Sequence, residues 1–289
     1  MSKMQTNKPH VRALSPAKIN LFLKVTGKRP DGYHNLHTLM CGITLFDNLL
    51  FEFDESNIRV CCSHPEVPED NSNLVWRAAD IFLRNINRVC GIKITIEKKI
   101  PVGAGLGGGS SNAATVLKVL NKYFDLKFSD DKLRDMSLEV GADVPFFISG
   151  RPAVAEGVGE KLQIVDQLKP FHVLLVNPGF SVSTANVYKN LNLRLTKCEK
   201  KITKFLFEGI SVDILGILCN DLETVTAKMF PDIERIKAQL IQLGAEGALM
   251  SGSGPTVFGL FSDADQAKKA YGELEQFSEI NKFLAELIV

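Results

Sequence analysis

The sequence predicts an α+β fold in two domains, and three observations carry that prediction. The chain has 289 residues, more than one hydrophobic core usually organises. Residues 11–60 read mainly as strands, and after Pro152 a second run of strand-like and helix-like segments begins. Between them, a strand, a dense glycine cluster and a helix follow one another directly. The boundary is placed between 160 and 161, giving an N-terminal domain of residues 1–160 and a C-terminal domain of residues 161–289.

Each element has a local reason. Residues 19–25 are apolar and β-branched, and Arg29-Pro30-Asp31-Gly32 closes them as a turn. Residues 49–53 and 58–61 read as further strands, and the polar stretch 65–73 as a loop. Helical spacing of Leu74, Ala78, Ile81 and Phe82 predicts a helix over 74–87 with Asn73 as its N-cap. Ile92, Ile94 and Ile96 alternate with Lys93, Thr95 and Glu97, the period of a half-exposed strand. A helix is expected over about 110–124, and Ser129 or Asp130 caps another that Gly141 ends. Further on, strands are expected at 173–176, 248–251 and 257–261, and helices at 184–191, 233–243 and 263–274, the last being the final element. Residues 197–204 form a charged stretch with no assigned role.

Composition excludes several classes of function. Apolar residues make up 45% and charged residues 23%, and the formal net charge is +1 from 34 basic and 33 acidic side chains. With no run of like charge, neither a nucleic acid nor a membrane surface is an expected partner. An anionic ligand must therefore be held by a local site. The six cysteines (Cys41, Cys61, Cys62, Cys90, Cys198, Cys219) show no CxxC pair and no zinc-type spacing, and read as reduced, structural thiols. Residues 1–10 lack the apolar core of a signal peptide, and the apolar run 171–176 is far shorter than the ~20 residues of a membrane span. A soluble, cytoplasmic protein is expected.

The glycine cluster carries the chemistry. Residues 103–109 contain five glycines in seven positions, at the mouth of a helix whose first turn supplies Ser110 and Ser111. Such a backbone can turn its N–H groups inward, and the helix N-terminus adds about half a positive charge. This suits a polyphosphate. The Walker pattern fails because no lysine follows the glycines. Gly103, Gly105 and Gly108 fit GxGxxG literally, but the preceding strand alternates and no good second strand leads to Asp125, about 20 residues on. A purely structural turn is the plain alternative; glycine weakens element ends by ~0.5–1 kcal/mol each, so this density points to a ligand.

Three segments in order resemble the motifs of the GHMP kinases (galactokinase, homoserine kinase, mevalonate kinase and relatives). They are Ser15-Pro16-Ala17-Lys18-Ile19-Asn20-Leu21-Phe22-Leu23, residues 101–111, and residues 244–258 with Ser251-Gly252-Ser253-Gly254 at their centre. Arg29-Pro30-Asp31-Gly32-Tyr33-His34, Gly141-Ala142-Asp143-Val144-Pro145 and Glu156-Gly157-Val158-Gly159-Glu160 extend the likeness. The resemblance implies a two-domain fold with its active site in the cleft between domains. It also implies ATP with Mg²⁺ and a small-molecule acceptor, a cytidine-diphosphate-linked methylerythritol phosphorylated on its 2-hydroxyl. Pro101, Gly103, Gly105, Leu106, Gly107, Gly108, Gly109, Ser110 and Ser111 would hold the nucleotide phosphates, and Asn73 the adenine. Asn20 would meet the sugar alcohol, Tyr33 and Tyr188 would sandwich the cytosine, and His34 would read its edge.

Phosphoryl transfer to an alcohol needs little more than positioning and a carboxylate that accepts the proton late. Asp143 is the candidate acceptor and Lys18 its candidate partner in orienting the group and balancing charge. Asp143 could instead cap a short helix beginning at Val144-Pro145, and Lys18 could be a solvated edge-strand lysine. Mg²⁺ is given Ser111 and no acidic ligand; a metal pair at His34 and His37 lacks a third ligand and is discounted. Another GHMP kinase, of homoserine or mevalonate type, and a nucleotide-binding sensor without catalysis stay as alternatives. A monomer or homodimer is expected.

Overall fold

A computed structural model describes residues 10–193, 196, 198, 213–274 and 280–289. Its residues fall into two compact units that interleave along the chain. One draws its described residues from 10–15, 46–100 and 108–149, the other from 16–45, 101–107 and 150–289. The division at 160/161 is one of chain order and falls in the turn between two paired strands, whereas the packing units take non-contiguous segments. Of the charged stretch 197–204, only Cys198 lies within the described residues.

Two long strands contribute to both units, β1 (His10–Lys28) and β2 (His34–Glu55). They pair with each other, and the Arg29 N–H closes the connecting turn on the Tyr33 carbonyl. In the first unit, β3 (Ile58–Cys62) pairs parallel with β4 (Gly91–Glu97). The second half of β2 pairs antiparallel with β4, setting Leu49, Phe51 and Phe53 opposite Ile96, Ile94 and Ile92. The predicted alternation of β4 holds: its isoleucines are buried and its lysine and threonine half-buried. Four helices complete this unit: α1 (Leu74–Asn85), α2 (Gly108–Tyr123), α3 (Asp130–Leu138) and α4 (Val144–Ser149).

Asn73 and Ser129 cap α1 and α3 as expected, their side chains accepting from the N–H groups of Val75 and Lys132. The end of α3 differs from expectation. The helix stops at Leu138, and Gly141 lies beyond it, its N–H bonded to the Ser137 carbonyl. Gly141 does not adopt the left-handed backbone that a glycine stop uses.

In the second unit, β7 (His172–Asn177) is flanked by β10 (Val257–Phe261) and β11 (Asn281–Ile288), with β9 (Gly247–Met250) beyond β10, all antiparallel. β11 continues to β2 through Leu287 and Ile43. On β2, β5 (Ala153–Gly157) adds a strand, and β6 (Lys161–Ile164) pairs with β5. β8 (Cys219–Asn220) lies parallel to β1.

Among the described residues, the helices of this unit are α5 (Thr184–Lys189), α6 (Ile214–Ile217), α7 (Glu223–Met229), α8 (Asp232–Gln242) and α9 (Ala264–Glu273). α8 and α9 bury Ile233, Leu240, Ala267 and Ala270 with Leu174, Val176, Val257 and Phe261 of the sheet. α9 is not the final element, because β11 follows it. The Leu–Ala–Glu content of β11 favours helix by propensity, and pairing with β7 overrides it. Cys198 and Cys219 are joined as a disulfide, correcting the expectation that all six thiols are reduced; a 21-residue separation carries no local signature. Among the described residues, no helix is long and apolar enough to cross a membrane.

Candidate active site

The glycine loop is shaped by left-handed backbone and by close approach. Gly103, Gly105 and Gly107 have φ of +62°, +77° and +69°. A Cβ on Gly105 would stand 2.1 Å from the Ser251 carbonyl oxygen, so no side chain fits there. The loop carbonyls are anchored one after another: Gly105 accepts from the Ser251 hydroxyl at 3.0 Å, and Leu106 from the Lys18 N–H at 3.0 Å. Loops with anchored carbonyls and left-handed glycines are of the kind whose N–H groups can form an anion-binding concavity. Pro101 and Val102 enter the loop half-buried.

Gly108, Gly109, Ser110 and Ser111 form the first turn of α2, in the other unit. The helix starts two residues earlier than spacing suggests, so its N-terminal N–H groups lie inside the glycine run. Ser111 is buried and its hydroxyl accepts from Ser15 at 2.7 Å. Asn112 Oδ1, also buried, has no hydrogen-bond partner among the described residues. Asn73 sits in the same unit, its Oδ1 accepting from Val75 N–H at 2.8 Å and its Nδ2 donating to the Pro68 carbonyl. That amide therefore builds the start of α1, with one lone pair and one proton still to offer.

Lys18 is no solvated edge lysine. It is 4% exposed, and its Nζ donates to Asn20 Oδ1 at 2.6 Å. Lys18 and Asn20 lie two apart on β1 and so share a face. Asp143, half-buried, immediately precedes α4, whose first N–H, from Val144, bonds to the Gly141 carbonyl at 3.1 Å. Lys118 of α2 donates to the Phe147 carbonyl at 2.7 Å and ties α4 in place. Burial lowers the Lys118 pKa, against an opposing pull from Asp130.

The base-binding candidates lie in the second unit. His34 is stacked on Tyr188, ring centroids 5.0 Å apart and planes 25° apart. Tyr33 is 63% exposed. Desolvation, with help from Lys28, lowers the His34 pKa, so the ring is neutral at pH 7. His34 and His37 stand three apart on a strand, on opposite faces, which disposes of a shared metal. The acidic and thiol groups that do cluster, Cys198, Cys219 and Asp221, include the disulfide.

The chain matches the family model for the GHMP kinases N terminal domain over residues 73–151 and that for GHMP kinases C terminal over residues 208–279. It is 47% identical over 268 residues to the 4-diphosphocytidyl-2-C-methyl-D-erythritol kinase of Geobacter sp. (strain M21), covering 92% of this chain and 95% of that protein. The enzyme of the same name from Syntrophotalea carbinolica is 48% identical over 274 residues, 94% of this chain and 97% of its own. This chain belongs to the GHMP kinases. A crystal structure of a 4-(cytidine 5'-diphospho)-2C-methyl-D-erythritol kinase superposes with a TM-score of 0.80 at 35% identity, over 96% of this chain and 99% of that one. Members of this family are ATP-dependent small-molecule kinases, so the dinucleotide reading of the glycines falls.

Several residues that support the candidate site of this GHMP kinase escape a reading of the sequence. Asp47 is fully buried and accepts from the N–H groups of Lys99 and Ile100 at 2.8 and 2.9 Å while pairing with Lys98, which fixes the chain leading into the glycine loop. A lone aspartate in an apolar strand was its only signal. The Ser251 hydroxyl accepts from the Asn20 N–H at 3.3 Å while donating to Gly105, so one side chain ties the first motif to the second. Asn220 Nδ2 donates to the carbonyls of Met250 and Gly252 at 2.8 and 2.7 Å, and Thr226 Oγ1 to that of Ser253 at 3.1 Å. Nothing local marks Asn220 or Thr226, because their partners lie about thirty residues away in sequence.

Proposed function

We propose that this kinase transfers the γ-phosphoryl group of ATP to the 2-hydroxyl of 4-diphosphocytidyl-2-C-methyl-D-erythritol, releasing the 2-phosphate and ADP in non-mevalonate isoprenoid-precursor synthesis. The observation that carries the substrate is the stacked pair His34–Tyr188. An aromatic platform with a neutral imidazole offers a π-face and a hydrogen-bonding edge to a nucleobase, and stacking of this kind contributes ~1–3 kcal/mol per base. Homoserine and mevalonate have no base to place there. Support also comes from the full-length relatives, which carry the name of this activity.

In this reading, the N–H groups around Gly103–Gly107 and the first turn of α2 receive the ATP phosphates. Lys18, held by Asn20, meets charge on the transferring group, and Asn20 lies beside the acceptor alcohol. Asp143 orients that alcohol and takes its proton late, because a loose transition state develops little charge on the nucleophile before transfer. Ser111, buried with its hydroxyl accepting from Ser15, would give Mg²⁺ one neutral oxygen ligand. When bound, Mg²⁺ neutralises charge across the phosphates.

The deciding experiment follows ADP release from Mg²⁺-ATP with the cytidyl substrate, homoserine and mevalonate as acceptors. Turnover is expected with the cytidyl substrate alone, and Asp143→Asn should lower kcat by a factor on the order of 10² or more. Activity on either other acceptor in preference would remove the substrate. Full activity in Asp143→Asn would remove the proton acceptor.

A further inference from the structure

Behind Lys18 and Asn20 lies a third buried polar side chain with no assigned role, Thr38 of β2, 2% exposed. Its hydroxyl donates to the Phe22 carbonyl at 2.6 Å. Asn20 Nδ2 stands 2.8 Å from the same oxygen. A hydroxyl has one proton, and here the Phe22 carbonyl receives it, so towards Asn20 the oxygen can only accept. The amide nitrogen of Asn20 is thereby turned to Thr38 and its Oδ1 to Lys18, 2.6 Å from an ammonium that can only donate. Every link runs one way: Lys18 to Asn20, Asn20 to Thr38, Thr38 to the backbone. The reverse setting of the amide would place two donors face to face at Lys18 and oppose two acceptors at Thr38.

There is little room for Asn20 to adjust by moving. Its own N–H is held by the Ser251 hydroxyl, and a Cβ on Gly252 would come within 3.3 Å of its Oδ1. Asn20 is 3% exposed, so an amide robbed of its acceptor has no water to turn to.

We infer that Thr38 is a positioning residue of the phosphoryl transfer, its hydroxyl setting the Asn20 amide and through it the place of the Lys18 ammonium. The inference rests on the function proposed above, since it takes Lys18 and Asn20 to act on the reacting groups. Removing the hydroxyl leaves Nδ2 buried without an acceptor. Asn20 then rotates to satisfy it, and the Lys18 ammonium loses its bond to Oδ1 and shifts from its place. ATP binding, which depends on the glycine loop, is expected to survive, so the loss should fall on kcat rather than on the KM for ATP.

The test compares Thr38→Val, which keeps the shape, with Thr38→Ala and Thr38→Ser. In the Val and Ala variants kcat should fall about tenfold or more, as expected for misplacing a reacting group by a fraction of an ångström, with the KM for ATP within about twofold. The Ser variant should keep kcat within about threefold of wild type, since it retains the hydroxyl. The proposal is overturned if folded Val and Ala variants keep kcat within about twofold, or if Ser loses as much as Val. It is equally overturned if Val and Ala both fail to fold, because the hydroxyl then serves folding and not the reaction. A second readout is independent of turnover: hydrogen exchange of the Asn20 side-chain amide, assigned by its loss in Asn20→Asp. Slow exchange in wild type and Ser with fast exchange in Val or Ala supports the relay, and equal exchange in all four overturns it. If the wild type does not phosphorylate the cytidyl substrate, the functional reading falls, and the amide exchange alone decides whether Thr38 holds Asn20.

Discussion

Residues 103–109 and residues 251–254 are both glycine-rich, both follow a strand, and both use left-handed backbone, at Gly103, Gly105 and Gly107 in one and at Gly252 and Gly254 in the other. Their surroundings differ. In the first segment exposure alternates, and Gly103 and Gly109 face solvent, whereas all four residues of the second are buried. The second is also bonded throughout: Asn220 takes the Met250 and Gly252 carbonyls, Thr226 that of Ser253, and the Gly254 N–H that of Ser251. Glycine density therefore reports backbone freedom and nothing more. In the reading proposed above, one segment uses that freedom to offer N–H groups to phosphates; the other uses it to thread a buried turn that supports the first through Ser251.

The sharpest way to break this comparison is at the point where the two segments touch. Gly105→Ala places a methyl 2.1 Å from the Ser251 carbonyl and asks alanine to adopt φ +77°. The left-handed backbone alone costs ~1–2 kcal/mol, and the clash adds a backbone shift in both segments, so a loss of ~3 kcal/mol is expected in denaturant unfolding. A loss below ~1 kcal/mol would show that the segments part easily and that the second does not brace the first.

Asn220→Ala comes next. It frees two buried carbonyls and also removes the acceptor of the Leu222 N–H, for an expected loss of ~2–3 kcal/mol in stability. As a scaffold defect it should lower the midpoint of unfolding more than it raises the KM for ATP. Unchanged stability with a KM for ATP raised tenfold would make the buried turn a ligand site and erase the contrast. Gly103→Ala is the mild member of the series. It has φ +62°, and its Cβ would meet the Ser181 Cβ at 3.2 Å, a tight contact that a shift of a few tenths of an ångström relieves, so a loss of ~1–2 kcal/mol, mostly from the left-handed backbone, is expected.

How much of this was legible in the sequence follows the reach of each signal. The glycine loop, the Asn73 and Ser129 caps and the alternation of β4 are local patterns, and the fold keeps all of them. The family likeness likewise rests on contiguous motifs. What the sequence hid is non-local. The strand β11 lies beyond the last element that local pattern marks, and pairing with β7 is what makes it a strand. Cys198 and Cys219 carry no spacing signature. Asp47, Asn220 and Thr226 look like ordinary polar residues until their distant backbone partners are known. Burial of Lys18 was hinted at by its apolar strand, but its Asn20–Thr38 support required knowing that β1 and β2 lie side by side.

The smallest expected effect concerns pH and tests the separation from outside. Neither glycine segment contains an ionisable side chain, so mild acid should act through groups elsewhere in the fold. His34 and His37 are the candidates, both with pKa lowered from the usual 6.5, chiefly by burial. Lys28 adds to the effect at His34 and Lys24 at His37, where Glu156 opposes it. In the unfolded chain these imidazoles take up protons below about pH 6.5, and in the folded chain they resist until lower pH. Their contribution is therefore fully present above 6.5 and is lost as pH falls through the lowered native values. Tm should decline gradually between about pH 7 and 5, and His37→Gln should flatten part of that slope. Gly103→Ala should shift the whole curve down without changing its slope. A steeper acid slope in Gly103→Ala would mean that the glycine loop and the half-buried imidazoles share one cooperative rearrangement, and the two glycine segments could then no longer be treated as independent of His34 and His37.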